Sequence, residues 1–129
     1  MIETNDITRF GMKPHKEGGY YAETACGEKP YSSHIYYLLP KGETSCWHRI
    51  PCRELWLWHD GGTVVLQCGG RAKTPHVTET LLLNRENPCV AIAPGTWQTS
   101  LAKDADTLVS CVCVPGYCDE TNEIYKKEK

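Results

Sequence analysis

The sequence predicts an all-β domain, because short apolar or alternating segments recur along the chain and turn residues separate them. Proline and glycine pairs mark the turns, as at Asn87-Pro88 and Pro94-Gly95. Many short strands at this spacing are typical of a sandwich or barrel. One short helix is expected at 6–10. Strands are expected at 34–39, 55–59, 63–68, 76–83, 89–93 and 108–114.

Length and charge limit the function classes. A chain of 129 residues fits one domain, here 1–129 with a polar tail from about 119 to 129. With 14 basic and 16 acidic side chains and no basic run, no nucleic-acid partner is expected. The N-terminus lacks a secretion signal, and the apolar runs are too short to cross a bilayer. We therefore expect a cytoplasmic protein without a membrane partner.

The eight cysteines are expected to be free thiols in a reducing compartment, since none of them forms a C-x-x-C pair and most lie in apolar strand-like segments. A disulfide framework and a zinc site built from Cys111, Cys113 and Cys118 are the alternatives.

Strand periodicity predicts a pocket near residues 42–61. Side chains two positions apart share a face of a strand, so His48 and Ile50 form one pair. Glu54, Trp56 and Trp58 share a face further along. If the intervening turn keeps register, all five point into the barrel. An interior with tryptophans, a histidine and a carboxylate is a ligand pocket rather than a solid core.

His48 beside Glu54 has the chemistry of a general base oriented by a carboxylate, since histidine titrates near neutral pH. Tyr37 is the expected acid partner in the same cavity, with Tyr36, Tyr20 and Tyr21 as alternatives. Such a set suits proton abstraction next to a carbonyl, as in epimerisation or isomerisation. The alternative is a buried pair without catalytic work. His15, His34, His59 and His76 are expected to be ordinary polar positions.

A second feature is the segment P-H-K-E-G-G-Y-Y-A-E-T at 14–24. Two adjacent glycines permit a tight turn or a close backbone approach. One interpretation is a turn into an edge strand. The other is a wall of the pocket, with Glu17 or Glu23 pointing in.

Five stretches in order resemble a small cupin family, usually described as an uncharacterised domain or predicted sugar epimerase. They are P-H-K-E-G-G-Y-Y-A-E-T, I-Y-Y-L-L-P-K-G-E-T-S-C-W-H-R-I, E-L-W-L-W-H-D-G, A-P-G-T-W-Q and C-V-P-G-Y, within residues 10–117. The resemblance implies a cupin double-stranded β-helix, or jelly-roll barrel, that forms a homodimer with a pocket at one barrel mouth. After Tyr117 the family's usual ending is replaced by C-D-E-T-N-E.

The resemblance also assigns site positions. His48 and Glu54 fall on the pocket positions of the first cupin motif, and Gln98 falls on that of the second. Glu17, Tyr21 and Glu23 fall in the N-terminal signature. Ile50 and Gln98 replace the usual histidines, so no cofactor is expected. A divalent metal held by His48, Glu54 and Gln98 is the alternative.

These observations predict a small-molecule-binding cupin, with Gln98, Trp56, Trp58 and Ile50 among the ligand-binding residues. The expected reaction is metal-independent epimerisation or isomerisation of a sugar or other carbonyl compound. A non-catalytic binder or sensor and a metal-dependent cupin enzyme are the alternatives. Leu55 and Leu57 point outward and are expected to meet a second sheet or the partner chain of a homodimer.

Overall fold

Two antiparallel sheets make up the protein in a computed structural model that describes residues 5–126. A short helix, α1 (Asn5–Phe10), precedes them and ends at Gly11, whose φ of 64° suits a residue without a side chain. The six-stranded sheet has the spatial order β1-β2-β3-β10-β5-β8. Its strands are β1 (Lys13–Pro14), β2 (Tyr20–Glu23), β3 (Ser33–Leu39), β5 (Arg53–Asp60), β8 (Cys89–Ile92) and β10 (Thr107–Val114).

The five-stranded sheet has the order β11-β4-β9-β6-β7. Its strands are β4 (His48–Arg49), β6 (Val64–Cys68), β7 (Glu79–Leu83), β9 (Gln98–Ala102) and β11 (Glu123–Ile124). The all-β prediction is confirmed, and each of the six expected strands is present. The segment expected at 76–83 pairs only from Glu79, because the Thr78 amide and hydroxyl both bond to the Cys68 carbonyl instead of extending the ladder.

Strand β9 was not predicted, because its sequence Q-T-S-L-A has little of the apolar character expected of a buried strand. Its inward side chains are nonetheless buried. Ser100 hydrogen-bonds to the Ser45 hydroxyl at 2.7 Å, which satisfies a polar side chain inside the protein. Local hydrogen bonding thus takes the place of apolar patterning in this strand.

The hydrophobic core lies between the two sheets, where alternate side chains of each strand meet. Leu66 and Leu83 are fully buried there, and Leu39, Val64 and Val109 are nearly so. A smaller cluster of Met12, Leu38 and Leu108 packs with Ile7 and Phe10 of the helix segment on the outer face of the larger sheet. The core leaves one end of the barrel free for polar side chains.

The C-terminal segment is ordered by pairing rather than loose. A 3-10 helix at Asp119–Thr121 leads into β11, which pairs with β4. Residues 127–129 of the predicted tail lie outside the described residues. All eight cysteines are unpaired. No helix within 5–126 is both long and apolar enough to cross a membrane.

Candidate functional site

A cavity of about 400 Å³ opens at one end of the barrel, against the inner face of the larger sheet. The segment before β2 and the segment after β10 form its rim. Most of the residues expected at the site line it, namely Glu17, Tyr21, Glu23, Tyr37, His48, Ile50, Glu54 and Trp56. Strand parity therefore placed the inward residues of β4 and β5 correctly as far as Trp56.

His48 is held by contacts on both ring nitrogens. Its Nδ1 lies 3.1 Å from the Cys46 carbonyl oxygen, an acceptor, so Nδ1 carries a proton. Its Nε2 lies 3.3 Å from Oε2 of Glu17. The expected contact with Glu54 is corrected: the carboxyl that touches His48 comes from the N-terminal segment, and Glu54 makes no ion pair within the described residues.

The turn at Gly18 and Gly19 brings Glu17 to His48. A side chain at Gly18 would meet the Thr44 carbonyl oxygen at 2.8 Å, and φ is 109° there, so only glycine fits this close approach. The Cys46 amide donates to the Glu17 carbonyl at 2.8 Å, which fastens the turn beside β4. The segment is a cavity wall and also a turn into a strand, but that strand, β2, lies between β1 and β3 and not at the edge of the sheet.

The His48–Glu17 contact requires a proton between Nε2 and Oε2, because two lone pairs would otherwise face each other. Burial raises the pKa of Glu17, and burial lowers the pKa of His48 despite the opposing Glu54 carboxylate. Each shift favours the neutral form of its own group, an uncharged carboxyl for Glu17 and an uncharged imidazole for His48.

Glu54 is buried and held by neutral partners. The Gln98 amide donates to its Oε1 at 2.8 Å, and the Cys111 thiol also hydrogen-bonds to it. Burial raises the pKa of Glu54. The Gln98 carbonyl oxygen accepts the Trp56 indole N–H at 3.2 Å. The expected role of Gln98 is thus corrected, since it lies behind the cavity wall and orients Glu54 and Trp56.

Two other expectations need correction. The Tyr37 hydroxyl lines the cavity but donates to the Gly18 carbonyl at 2.7 Å, and burial raises its pKa well above the usual range. It is therefore a poor proton donor. Trp58 does not line the cavity: its indole N–H donates to the Gly62 carbonyl at 2.8 Å and its ring packs against the core. Trp58 keeps the parity of Trp56, since it pairs with Val109 in the same register, and it faces the core rather than the cavity.

Several residues of the site were not singled out from the sequence. His15 lines the cavity and accepts the Glu17 amide at Nδ1, 3.1 Å away. Asn122 donates to Glu17 Oε2 at 2.6 Å. Lys16 pairs with Asp119 at 2.9 Å and fastens the C-terminal segment to the rim. The signal available was the position of His15 within P-H-K-E-G-G and the unusual C-D-E-T-N-E ending.

The residues at the cupin metal positions do not fit a metal ion. Ile50 has no donor atom, and both polar atoms of the Gln98 amide are already hydrogen-bonded to protein. Between residues 5 and 126, no three His, Cys, Asp or Glu side chains are grouped as a metal site. Cys118 does not line the cavity with Cys111 and Cys113. The remaining donors, His48 and Glu54, are too few for tight binding of a first-row metal.

The fold and cavity define a cupin, and comparison with known proteins agrees. Residues 4–125 match the family model described as Cupin superfamily (DUF985), so the chain belongs to this family. No curated protein sequence matches it significantly.

Solved structures show the same architecture. A Shewanella oneidensis protein is 26% identical with a TM-score of 0.79, over 98% of this chain and 86% of that one. A hypothetical protein from Leishmania major is 23% identical with a TM-score of 0.77, over 93% and 85% of the two chains. An uncharacterised Klebsiella pneumoniae protein with a double-stranded β-helix domain is 14% identical with a TM-score of 0.68, over 98% and 97%. The predicted double-stranded β-helix is confirmed.

The replacement Gln98→Leu is expected to lower the free energy of unfolding by roughly 2–6 kcal/mol. It leaves the Trp56 N–H and a Glu54 oxygen without hydrogen-bond partners, and each buried unsatisfied group costs about 1–3 kcal/mol. Urea denaturation measures the loss. Gln67→Leu on the neighbouring strand β6 is the matched control, since Gln67 is only half-buried. Equal effects of the two replacements would contradict the assigned role of Gln98.

The replacement Glu54→Gln is expected to change how stability depends on pH. Because the folded protein raises the Glu54 pKa, it holds a proton that the unfolded chain releases above the ordinary value of 4.5. This group therefore contributes a loss of stability as pH rises above that value, and the variant lacks this contribution. As pH rises, the free energy of unfolding of the wild type should fall relative to that of the variant by at most about 1.4 kcal/mol per pH unit.

Urea denaturation at a series of pH values measures this difference. Glu79→Gln, at the exposed start of β7, is the matched control and should differ from wild type by a constant amount. If the free energy of unfolding of the wild type instead stays constant or rises relative to that of Glu54→Gln as pH increases, burial does not raise the Glu54 pKa.

Proposed function

We propose that this cupin binds a small carbonyl compound, such as a sugar, and enolises it without a metal, which leads to epimerisation or isomerisation. One observation carries the proposal: His48 Nε2 and Glu17 Oε2 lie 3.3 Å apart at the cavity wall. Burial raises the pKa of Glu17 and lowers the pKa of His48, so each group is shifted toward its neutral form. In that form Glu17 can give a proton and His48 can take one.

The proposed step moves two protons. His48 takes a proton at Nε2 from the carbon next to the substrate carbonyl, while Glu17 gives its proton to the carbonyl oxygen. The product is a neutral enol beside a histidinium–carboxylate pair. The reverse transfers return a proton to the same carbon or, in an ene-diol, to its neighbour. The configuration of the first carbon inverts when the bound enol turns over and His48 returns the proton to its opposite face.

Other side chains support this chemistry by position. The Cys46 carbonyl keeps the His48 proton on Nδ1, so the nitrogen facing Glu17 is the one free to act as base. The Glu54 carboxylate stabilises the histidinium that forms during the reaction. Trp56 and Ile50 supply apolar cavity wall, and Tyr21 and Glu23 contribute to the outer part of the cavity.

The chain is further proposed to act as a homodimer in the cytoplasm. Leu55 and Leu57 of β5 remain half-buried on the side of the strand away from the cavity residues Glu54 and Trp56, which suits a contact with a second copy. No nucleic-acid or membrane partner is proposed.

Solvent deuterium exchange tests the reaction across a range of candidate substrates. The protein is incubated in heavy water with a panel of aldoses, ketoses and their amino derivatives, and mass spectrometry detects deuterium at the carbon next to the carbonyl. We expect exchange in at least one member. His48→Gln should abolish it, and Glu17→Gln should lower the rate by about 10²–10⁴, the usual contribution of a general acid.

His76→Gln replaces an exposed histidine outside the cavity and serves as the matched control. Binding of a panel member with no exchange would favour a non-catalytic binder or sensor. Exchange that persists in His48→Gln would exclude this histidine as the base.

A further inference from the structure

The charges of the cavity are arranged in two layers. At the rim, Lys29 pairs with Glu23 at 2.8 Å and Lys16 pairs with Asp119 at 2.9 Å. Each rim lysine is therefore already neutralised by a carboxylate. No arginine lines the cavity. An anionic ligand would find no unpaired positive side chain among the lining residues.

The inner layer contains two carboxyl groups without a permanently charged partner. Glu54 is 7% exposed, and its hydrogen-bond partners are the neutral Gln98 amide and the Cys111 thiol. The Glu17 side chain is 10% exposed and contacts a neutral amide and two histidines. Within the described chain, neither carboxyl forms an ion pair with a lysine or arginine. A buried carboxylate without a countercharge is costly, and a ligand cation would remove that cost.

Aromatic rings form a continuous wall beside these carboxyls. His15 packs edge-on against Tyr21 and Tyr37, with ring centroids 4.9 and 5.8 Å apart, and Tyr37 packs in the same way against Trp56 at 5.8 Å. All four rings line the cavity. The negative face of an aromatic ring attracts a cation, and quaternary or protonated amines are recognised by such walls combined with carboxylates.

We propose that the ligand of this cavity carries a positively charged nitrogen, held between the Tyr21–His15–Tyr37–Trp56 wall and the carboxylate of Glu54. The ligand class is a small organic ammonium compound, and a cavity of about 400 Å³ accommodates a molecule of that size. This inference deepens the proposed function and rests on it for the cavity being the substrate site. It makes the substrate an amine-bearing carbonyl compound rather than a phosphorylated or acidic sugar.

Calorimetric titration with three matched probes tests the charge requirement. The probes are choline, the uncharged alcohol in which a tert-butyl group replaces the trimethylammonium group, and the corresponding carboxylate. Choline should bind at least about tenfold more tightly than the uncharged alcohol, and the carboxylate more weakly than either. Equal or tighter binding of the alcohol, tighter binding of the carboxylate, or no detectable choline binding would overturn the proposal.

Two variants locate the bound cation. Glu54→Gln and Tyr21→Leu should each weaken choline binding about tenfold and leave the affinity for the uncharged alcohol unchanged. Glu79→Gln, outside the cavity, should alter neither. If both cavity variants bind choline as tightly as the wild type, the assigned site is overturned. The comparison of the three probes on the wild type remains valid even if one variant fails to fold.

The two sets of experiments distinguish failure of the cation site from failure of the proposed reaction. Choline binding without deuterium exchange in any carbonyl compound would overturn the enolisation and keep the cation site. Deuterium exchange in uncharged sugars without preference for amino derivatives would keep the enolisation and overturn the cation site.

Discussion

The contact between His48 Nε2 and Glu17 Oε2 is the constraint on which the candidate site depends. Two separate parts of the fold produce it. Strand β4 holds His48, with Nδ1 at the Cys46 carbonyl, and the Gly18-Gly19 turn holds Glu17 against the same strand. Because the contact is buried, it favours the neutral pair over the charged pair. That preference allows one cavity wall to offer both a proton donor, Glu17, and a proton acceptor, His48.

The cavity can be polar because residues outside its lining make hydrogen bonds to its buried polar side chains. Gln98 bonds Glu54 and Trp56 together, and Asn122 bonds Glu17 from the C-terminal segment. The Gln98 amide thus has a structural role, and the acid that contacts His48 comes from the N-terminal segment. The apolar core around Leu66 and Leu83 lies between the sheets, and the polar side chains of the site lie at one end of the barrel.

The sequence was sufficient to predict most strands and the inward face of β4 and β5, because a period of two is visible in the residues themselves. The sequence did not predict which carboxyl group contacts His48. Glu54 and Glu17 both enter the cavity, and only the turn at Gly18 and the docked tail decide which of them touches the imidazole. Asp119 and Asn122 likewise reach the site through the pairing of β11 with β4, which local periodicity does not encode. Trp58 shares the inward face of Trp56, but it packs in the core and does not line the cavity.

Nuclear magnetic resonance of the His48 ring nitrogens and the Glu17 carboxyl carbon tests the central claim most directly. Chemical shifts followed over a pH series give the pKa of each group. The account predicts that Glu17 keeps its proton to a higher pH than an ordinary glutamate, and that His48 loses its charge at a lower pH than an ordinary histidine and then carries its proton on Nδ1. A lowered Glu17 pKa, a raised His48 pKa, or a neutral His48 with its proton on Nε2 would contradict the account.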